Sequence, residues 1–295
     1  MSLPEIAPDI PVDRALKAVL LVVAAVLLFA LADTVGKHLV TFYAASLVLA
    51  VRYLVNLGLL GVVMWPRHGA ALWRTNRLGL VILRGLCLAA ASVSMLAALR
   101  LMPVGETVAI IYVAPFAVLL LAARFLGESV SLSGWIAAFG GFLGVLLIAR
   151  PGSGLDPLGV ALCLFNAACA TAYHLLTRIL TRTETTMAML FHTALVGAVV
   201  FSVMALGVRH GPLPGLWDSA LMLALGVVAT VGHLLFTAAY REAPASLLAP
   251  VNYLHILFAT LFSWLVFSHL PDGISLLGMA IIAAAGSLVA MRAGR

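Results

Sequence analysis

The sequence predicts an all-α integral membrane protein with ten transmembrane helices arranged as two inverted five-helix repeats. Of its 295 residues, 64% are hydrophobic and only 9% are charged, and the mean hydropathy is +1.16. A soluble domain carries about 25% charged residues. The chain also divides into ten apolar runs, and its second half repeats the pattern of the first with a shift of 141 residues.

The apolar runs have the length that a membrane-spanning helix needs, which is about 20 residues. Short breaks rich in proline, glycine and charge separate them, for example at 66–69 and 271–273. This division leaves a short cytoplasmic segment at 1–14, a first repeat at 15–150 and a second repeat at 155–292. The predicted spans are 16–37, 41–64, 79–100, 104–125, 131–149, 157–178, 186–208, 217–239, 245–268 and 274–291.

The distribution of basic residues predicts the orientation of the spans, because cytoplasmic loops carry an excess of Lys and Arg. With the N-terminus inside, only Lys37, Arg100, Arg150 and Arg209 lie outside, and Arg52 and Arg84 lie within spans. Both termini are therefore predicted to be cytoplasmic, in an inner membrane. The basic residues on the inside would be Arg14, Lys17, Arg67, Arg74, Arg77, Arg124, Arg178, Arg182, Arg241, Arg292 and Arg295.

The internal repeat determines how the two halves are related. A shift of 141 residues places span one on six, three on eight, four on nine and, after a short gap, five on ten. Five spans are an odd number, so the halves must enter the membrane in opposite directions. Secondary transporters are often built in this way, with the substrate site near the midplane between the halves. The aligned pairs are Lys37 and Arg178, Arg100 and Arg241, Pro103 and Pro244, and Tyr112 and Tyr253.

Several short motifs carry a family resemblance that extends over nearly the whole chain. They are 98–103 (ALRLMP), Glu106, 114–116 (APF), 126–128 (LGE), Gly134-Trp135, 141–147 (GFLGVLL), 239–244 (AYREAP) and 284–286 (AAG). The sequence resembles the drug/metabolite transporter superfamily, of the EamA type with ten helices, which includes an amino-acid exporter. It departs from the pattern at Ser268-His269, which occupy the place of the Gly-Glu that ends span four.

Four charged residues fall inside the predicted spans, where each costs about 2.5–3.5 kcal/mol on insertion scales. They are Asp33, Arg52, Arg84 and Glu106. One interpretation is that they pair with one another and fix helix packing. The other, which we favour, is that they line a polar pathway, because two acids and two arginines at four depths cannot all pair closely.

Other polar residues recur at helical spacing on one face of their spans. Such faces either hold helices together or line a hydrated cavity. Five stripes spread over both halves favour a shared cavity. They are Ala45, Arg52 and Asn56; Arg84, Cys87, Ala91, Ser94 and Ala98; Asn166, Ala170, Tyr173 and Thr177; Thr230, His233, Thr237 and Tyr240; and Leu248, Asn252, His255 and Ala259.

Spans five and ten carry small residues and no internal charge. Gly140 and Gly144 form a GxxxG motif, and Gly286 with Ala290 forms a similar pair. These spacings are typical of helices that pack closely in membranes. We expect packing helices at the periphery of the bundle or at a dimer contact.

Pro115 and Pro250 interrupt spans four and nine, which correspond across the repeat. A proline bends a helix and frees a backbone carbonyl. Beside a cavity, that carbonyl could bind an ammonium group or a cation. The alternative is a fixed kink without a ligand.

No motif indicates an enzyme, because HExxH, GxSxG, GxGD and CxxC are all absent from the sequence. Cys87, Cys163 and Cys169 lack metal or redox spacing and are interpreted as small core residues. We therefore expect no cofactor, no metal site and no nucleic-acid partner. A selective channel repeats its filter around an axis along the membrane normal, so inverted halves favour a carrier.

The predicted function is a secondary transporter of small metabolites that works by alternating access. The resemblance implies export of amino acids, aromatic or neutral, and of related compounds or drugs. One alternative is a nutrient importer of the same superfamily for a vitamin, a nucleoside-like compound or an S-adenosylmethionine-like compound. Another is a membrane receptor or assembly subunit that transports nothing. The partners are a small-molecule substrate and the lipid bilayer, and the chain acts as a monomer or a weak homodimer.

Candidate site residues follow from these stripes and charges. Proton or membrane-potential coupling is considered for the residues that could change charge within the membrane. The candidates for substrate binding are Tyr112, Tyr253, Asn252, His255, Asn166, Tyr173, His233, Thr237, Arg52 and Ser94. The candidates for coupling or charge are Glu106, Asp33 and Arg84, with His233 and His255 as further proton acceptors.

Overall fold

The structure, a computed structural model, describes residues 12–114, 116–117, 121, 132–150, 154–180, 182–207, 213–242, 248 and 251–293. Ten α-helices occur within these ranges, and no strand does. They are α1 (Val12–Phe42), α2 (Ala45–His68), α3 (Leu78–Leu101), α4 (Val104–Ile111), α5 (Leu132–Ile148), α6 (Pro157–Leu180), α7 (Thr186–Leu206), α8 (Leu216–Glu242), α9 (Leu254–Phe267) and α10 (Gly273–Ala293). A short 3₁₀ turn follows α2 at Gly69–Leu72.

Six of these helices are long and apolar enough to cross a membrane: α1, α2, α3, α6, α7 and α8. Shorter apolar segments occur in α5, α9 and α10. Large side chains such as Leu16, Phe139 and Leu257 are exposed on the outside of the bundle, as expected for a surface that meets lipid tails. The all-α membrane fold is therefore confirmed.

Within the described residues, a turn interrupts the regular helix of spans four and nine. Helix α4 ends at Ile111, where Val113 N–H donates to the Ile110 carbonyl in a tighter turn. Helix α9 begins after a turn at Tyr253. These two turns correspond across the 141-residue repeat. Pro115, Pro250 and the motif at 126–128 lie outside the described residues.

Each helix makes its most extensive contact with a helix of the other repeat. Helix α1 packs on α8, α3 on α6, α2 on α7 and α5 on α10, and α4 packs on α9, which contacts α1 more extensively still. Exchanging the two repeats leaves this set of pairs unchanged, because α1 with α8 becomes α6 with α3 and the other three pairs map onto themselves. The pairing is what two inverted five-helix repeats require.

Polar contacts at both ends of the bundle hold α1 against α8. We call the end at which α1 begins the near end, and the end at which it finishes the far end. At the near end Lys17 Nζ donates to Glu242 Oε1 at 2.7 Å, and at the far end Tyr43 OH donates to Asp218 Oδ2 at 2.6 Å. The two helices are therefore antiparallel and tied at each end.

Another pair of helices, α5 and α10, is joined at the far end by an ion pair. Arg150 Nη2 donates to Asp272 Oδ2 at 2.5 Å. The Ser275 backbone N–H and the Arg150 side chain both donate to the Asp272 carboxylate and lower its pKa to about 2. Asp272 lies in the loop before α10, so this contact stays charged at neutral pH.

Of the glycines predicted for close packing, Gly144 contacts another helix of the same chain. A Cβ on Gly144 would lie 2.7 Å from the Gly278 carbonyl oxygen, and a Cβ on Gly278 would lie 2.6 Å from the Gly144 carbonyl oxygen. Helices α5 and α10 thus approach backbone to backbone, which only glycine permits. For Gly286 and Ala290 the structure describes only the helix that contains them.

Replacing Gly144 with alanine tests this close approach. The added methyl group meets backbone, which cannot move aside, so we expect Gly144→Ala to lower the free energy of unfolding by about 1–3 kcal/mol. Gly140→Ala is the matched control, because its Cβ would meet only side-chain atoms, the Ala285 Cβ at 3.4 Å and the Ile281 Cγ2 at 4.0 Å. Thermal unfolding of both variants in detergent measures the difference. Equal stability of the two variants would contradict the proposed contact.

Candidate functional site

An internal cavity lies between α2, α3, α6, α7 and α8. The space inside it is about 80 Å³, and about 650 Å³ when its opening is included. Its walls combine aromatic, hydroxyl, amide and basic side chains with leucines. The lining residues are Arg52, Tyr53, Asn56, Leu60, Leu88, Ser92, Tyr173, Leu190, Thr193, Ala194, Thr230, His233 and Leu234.

The cavity extends from the near half of the bundle to its middle. Leu190 is the fifth residue of α7, which begins at the near end, and Leu234 lies in the last third of α8, which finishes there. The structure brings three of the predicted binding residues to this cavity: Arg52, Tyr173 and His233.

Arg52 is an unpaired charge on the cavity wall. Its guanidinium lies 5.8 Å from the centre of the Tyr53 ring, and no acceptor or acidic side chain bonds to it within the described ranges. Tyr53 is itself fixed, because its hydroxyl is 2.8 Å from Ser92 Oγ and its ring covers Gly197, where a Cβ would overlap it. Arg52 is therefore supported by an aromatic ring while its donors stay open to the cavity.

Arg84 has the opposite environment, although it is close to the same cavity. It is 3% exposed, and its nitrogens donate to Thr177 Oγ1 (2.7 Å), Thr193 Oγ1 (2.6 Å), the Met189 carbonyl (3.1 Å) and Tyr173 OH (2.6 Å). Because its partners are on α6 and α7, Arg84 fixes α3 to both helices. It also orients Tyr173 and Thr193, which line the cavity.

A second polar cluster, the tyrosine–histidine cluster, consists of Asp33, Tyr112, Asn252, Tyr253 and His255. The rings of Tyr112 and Tyr253, the pair related by the repeat, are 5.3 Å apart. Tyr112 OH donates to the Asn252 carbonyl at 2.9 Å and lies 3.3 Å from His255 Nδ1. His255 Nε2 is 3.1 Å from Asp33 Oδ2. Five predicted residues from α1, α4 and the start of α9 are thus brought together.

Phe29 connects this cluster with the cavity. Its ring centre is 6.2 Å from that of His255 and 4.8 Å from that of His233. A Cβ on Gly232 would lie 2.7 Å from the Phe29 ring, so the ring is wedged against α8. Sequence reasoning missed Phe29, since it is apolar and belongs to no stripe.

At the far end a third group closes the bundle. Lys37 Nζ donates to the carbonyls of Leu99 and Met102 at 2.7 and 2.6 Å, at the C-terminus of α3. Glu106 Oε1 lies 2.8 Å from His269 Nε2. Glu106 is therefore remote from the cavity and paired with a histidine that the motif comparison noted only as a departure.

Three predicted binding residues use their polar atoms within or between helices. Asn166 Nδ2 donates to the Ala91 carbonyl at 2.6 Å and joins α6 to α3. Ser94 and Thr237 donate to carbonyls of their own helices, at Ala90 and His233. None of the three lines the described cavity. Their helical faces look alike in sequence because helix contacts and cavity walls use the same small polar residues.

Among the described residues no three His, Cys, Asp or Glu side chains come together as a metal site. Cys163 is buried and free, and Cys87 and Cys169 are free and half-buried.

Inverted repeats around an internal polar cavity are typical of secondary transporters. A family model described as the EamA-like transporter family matches residues 16–150 and again 157–291, so the chain belongs to the EamA-like transporter family. This confirms the resemblance to the drug/metabolite transporter superfamily. The protein is a transporter of small molecules and not an enzyme.

The relatives include transporters that work in both directions. The chain is 31% identical to a riboflavin transporter of Brucella anthropi, over 77% of this chain and 81% of that one. It is 27% identical to an S-adenosylmethionine uptake transporter of Rickettsia bellii, over 73% of each chain. It is 25% identical to the pseudopaline exporter CntI of Pseudomonas aeruginosa, over 92% and 95%.

A solved crystal structure shows the same fold. It matches with a TM-score of 0.61 and 20% identity, over 95% of this chain and 97% of the other. The fold of the chain therefore agrees with an experimental one.

Arg84→Lys tests whether Arg84 is a fixed anchor. A lysine keeps the charge but cannot reach partners on both α6 and α7 with a planar fork. We expect the free energy of unfolding to fall by about 1.5–3 kcal/mol, the value of one charged hydrogen bond. Arg100→Lys, at an exposed position of the same helix, should change it little. Thermal unfolding compares them, and unchanged stability of Arg84→Lys would show that the network is dispensable.

Proposed function

We propose that the protein is an alternating-access carrier for a planar heteroaromatic metabolite rich in hydrogen-bond acceptors, with riboflavin as the first candidate. The observation that supports this most is the open guanidinium of Arg52 beside the Tyr53 ring. An arginine without an acceptor in a membrane protein is costly unless water or a ligand satisfies it. A substrate carbonyl or anionic group would supply that acceptor.

The rest of the cavity supports the same chemistry. Tyr53 and Tyr173 offer aromatic rings for a flat substrate, and Asn56, Ser92 and Thr193 offer neutral hydrogen-bonding groups. No carboxylate is among the described lining residues. A substrate whose main charge is positive would therefore face Arg52 without a counter-charge.

This charge pattern ranks the substrate candidates. Riboflavin is uncharged, and its isoalloxazine ring carries carbonyl acceptors. The relatives named above include a riboflavin transporter and an S-adenosylmethionine uptake transporter. S-adenosylmethionine carries a sulfonium and an ammonium group. An amino acid could place its carboxylate on Arg52 but would leave its ammonium with neutral oxygens only. Export of amino acids stays a prediction from the resemblance. The transport experiment below tests it as the alternative to riboflavin.

We further propose that the near end faces the cytoplasm of the inner membrane, with both termini inside. The excess of Lys and Arg at that end supports this orientation. The cavity then extends from the cytoplasmic half to the middle of the bundle, while Lys37, Glu106 and His269 close the outer end. The substrate moves inward as the two repeats rock and expose the cavity alternately.

The division into a segment at 1–14 and repeats at 15–150 and 155–292 is part of the proposal. The family matches at 16–150 and 157–291 support it. We also propose that a single chain is the transporting unit, because the glycine faces of α5 and α10 pack on each other within the chain.

Uptake of labelled riboflavin into proteoliposomes tests the proposed function. Arg52→Gln should reduce uptake about 10- to 150-fold, the value of one charged hydrogen bond of about 1.5–3 kcal/mol. Arg74→Gln, at an exposed position outside the cavity, is the matched control and should transport like the wild type. Labelled phenylalanine and S-adenosylmethionine are measured in parallel.

Two results would contradict the proposal. One is riboflavin flux no greater than in empty liposomes, with or without phenylalanine transport. The other is wild-type riboflavin uptake by Arg52→Gln. Thermal unfolding of each variant separates a loss of transport from a loss of folding.

A further inference from the structure

Asp33 and His255 form an acid–base pair inside the membrane. Their side chains are 17% and 13% exposed, and the Asp33 Oδ2 to His255 Nε2 distance is 3.1 Å. This is an ion-pair distance, although the N–H is not aligned for a hydrogen bond. His255 Nε2 itself is buried without a hydrogen-bond partner, while other parts of the two side chains are exposed.

The other ring nitrogen of His255 also faces an oxygen. Tyr112 OH donates its single proton to the Asn252 carbonyl, and the Tyr112 oxygen is 3.3 Å from His255 Nδ1. Nδ1 therefore faces a lone pair and is favoured in its protonated form. An Nε2 without a proton would then place its lone pair against the lone pairs of the Asp33 carboxylate. A proton on each nitrogen would give both facing oxygens a donor.

One face of α1 connects this pair with the cavity and with the far end. Phe29, Asp33 and Lys37 are spaced by four residues and so lie on the same side of the helix. Phe29 contacts His233 of the cavity, Asp33 contacts His255, and Lys37 caps the C-terminus of α3. A change in charge at Asp33 therefore acts on α1, the helix that carries both the Phe29 contact with the cavity and the Lys37 contacts at the far end.

We propose that the Asp33–His255 pair is a proton-binding site that couples proton entry to transport. The proposal rests on the function proposed above. A proton binds His255 from outside and pairs it with Asp33. Its release to the cytoplasm leaves the carboxylate unpaired in a region of low dielectric, which displaces α1 and breaks the Lys37 contacts. One proton enters with each substrate molecule, and no covalent bond changes.

The titratable and charged groups around the pair come from several helices. Tyr112 faces it from α4 and Tyr253 from the start of α9, and His233 of α8 lies on the opposite side of Phe29. Lys37 is one turn further along α1. Glu106 is paired with His269, and Arg52 on α2 lies across the cavity. Asp33 is the acid in contact with His255.

The test compares net transport with exchange in proteoliposomes. An inward proton gradient should accelerate riboflavin uptake at least tenfold in the wild type, and a trapped pH dye should report about one proton per riboflavin. Asp33→Asn should lose the acceleration and the proton signal but retain riboflavin counterflow, which needs no net proton movement. His255→Gln should also lose the acceleration and the proton signal. Asp13→Asn, an exposed acid on the same helix, is the matched control and should behave like the wild type.

The outcomes separate this inference from the proposed function. Wild-type counterflow without any response to the proton gradient overturns the proton site and leaves the carrier function intact. Full coupling in Asp33→Asn overturns it as well. Absence of any riboflavin flux contradicts the proposed function, and the proton site is then tested without substrate. Nitrogen NMR in nanodiscs at neutral pH should show an imidazolium signal that disappears in both His255→Gln and Asp33→Asn, and its persistence in Asp33→Asn overturns the pair.

Discussion

A charged group in the hydrocarbon core of a bilayer must be satisfied by the protein or by water in a cavity, and this constraint organises the whole structure. The two intramembrane arginines show both solutions. Arg84 uses its donors on α6 and α7 and is buried, whereas Arg52 keeps its donors free on the cavity wall. The first holds the walls in place, and the second gives the cavity its positive charge.

The pairing of helices across the repeats explains how a polar cavity can exist in so apolar a chain. Small residues let the partner helices approach closely, as Gly144 and Gly278 do between α5 and α10 and as Gly105 does beside Thr260 of α9. Tight contacts there leave the space between α2, α3, α6, α7 and α8 as the cavity. The repeat also brings Tyr112 and Tyr253 together at equivalent helix interruptions. The fold thus places a second polar cluster between the cavity and the far end.

Much of this architecture could be predicted from the sequence, because it follows from periodicity and hydropathy. The ten spans, the repeat and the grouping of Tyr112 with Tyr253 are local or symmetric features. The different environments of Arg52 and Arg84 could not be predicted from the sequence, because they depend on which hydroxyls of α6 and α7 lie within reach. Likewise Asn166 and Ser94 look like cavity residues on a helical face but serve helix contacts. Tyr53 was not predicted as a cavity residue. It follows Arg52 in sequence and therefore lies outside the helical face that Arg52 shares with Ala45 and Asn56.

The central claim is that Arg52 is a free, water-accessible charge while Arg84 is saturated. Reaction of the folded protein with an arginine-specific dicarbonyl, followed by peptide mass spectrometry, measures this directly. We expect modification of Arg52 and none of Arg84, with riboflavin protecting Arg52 in proportion to its occupancy. Modification of both arginines to the same extent, or an unreactive Arg52, would contradict the account.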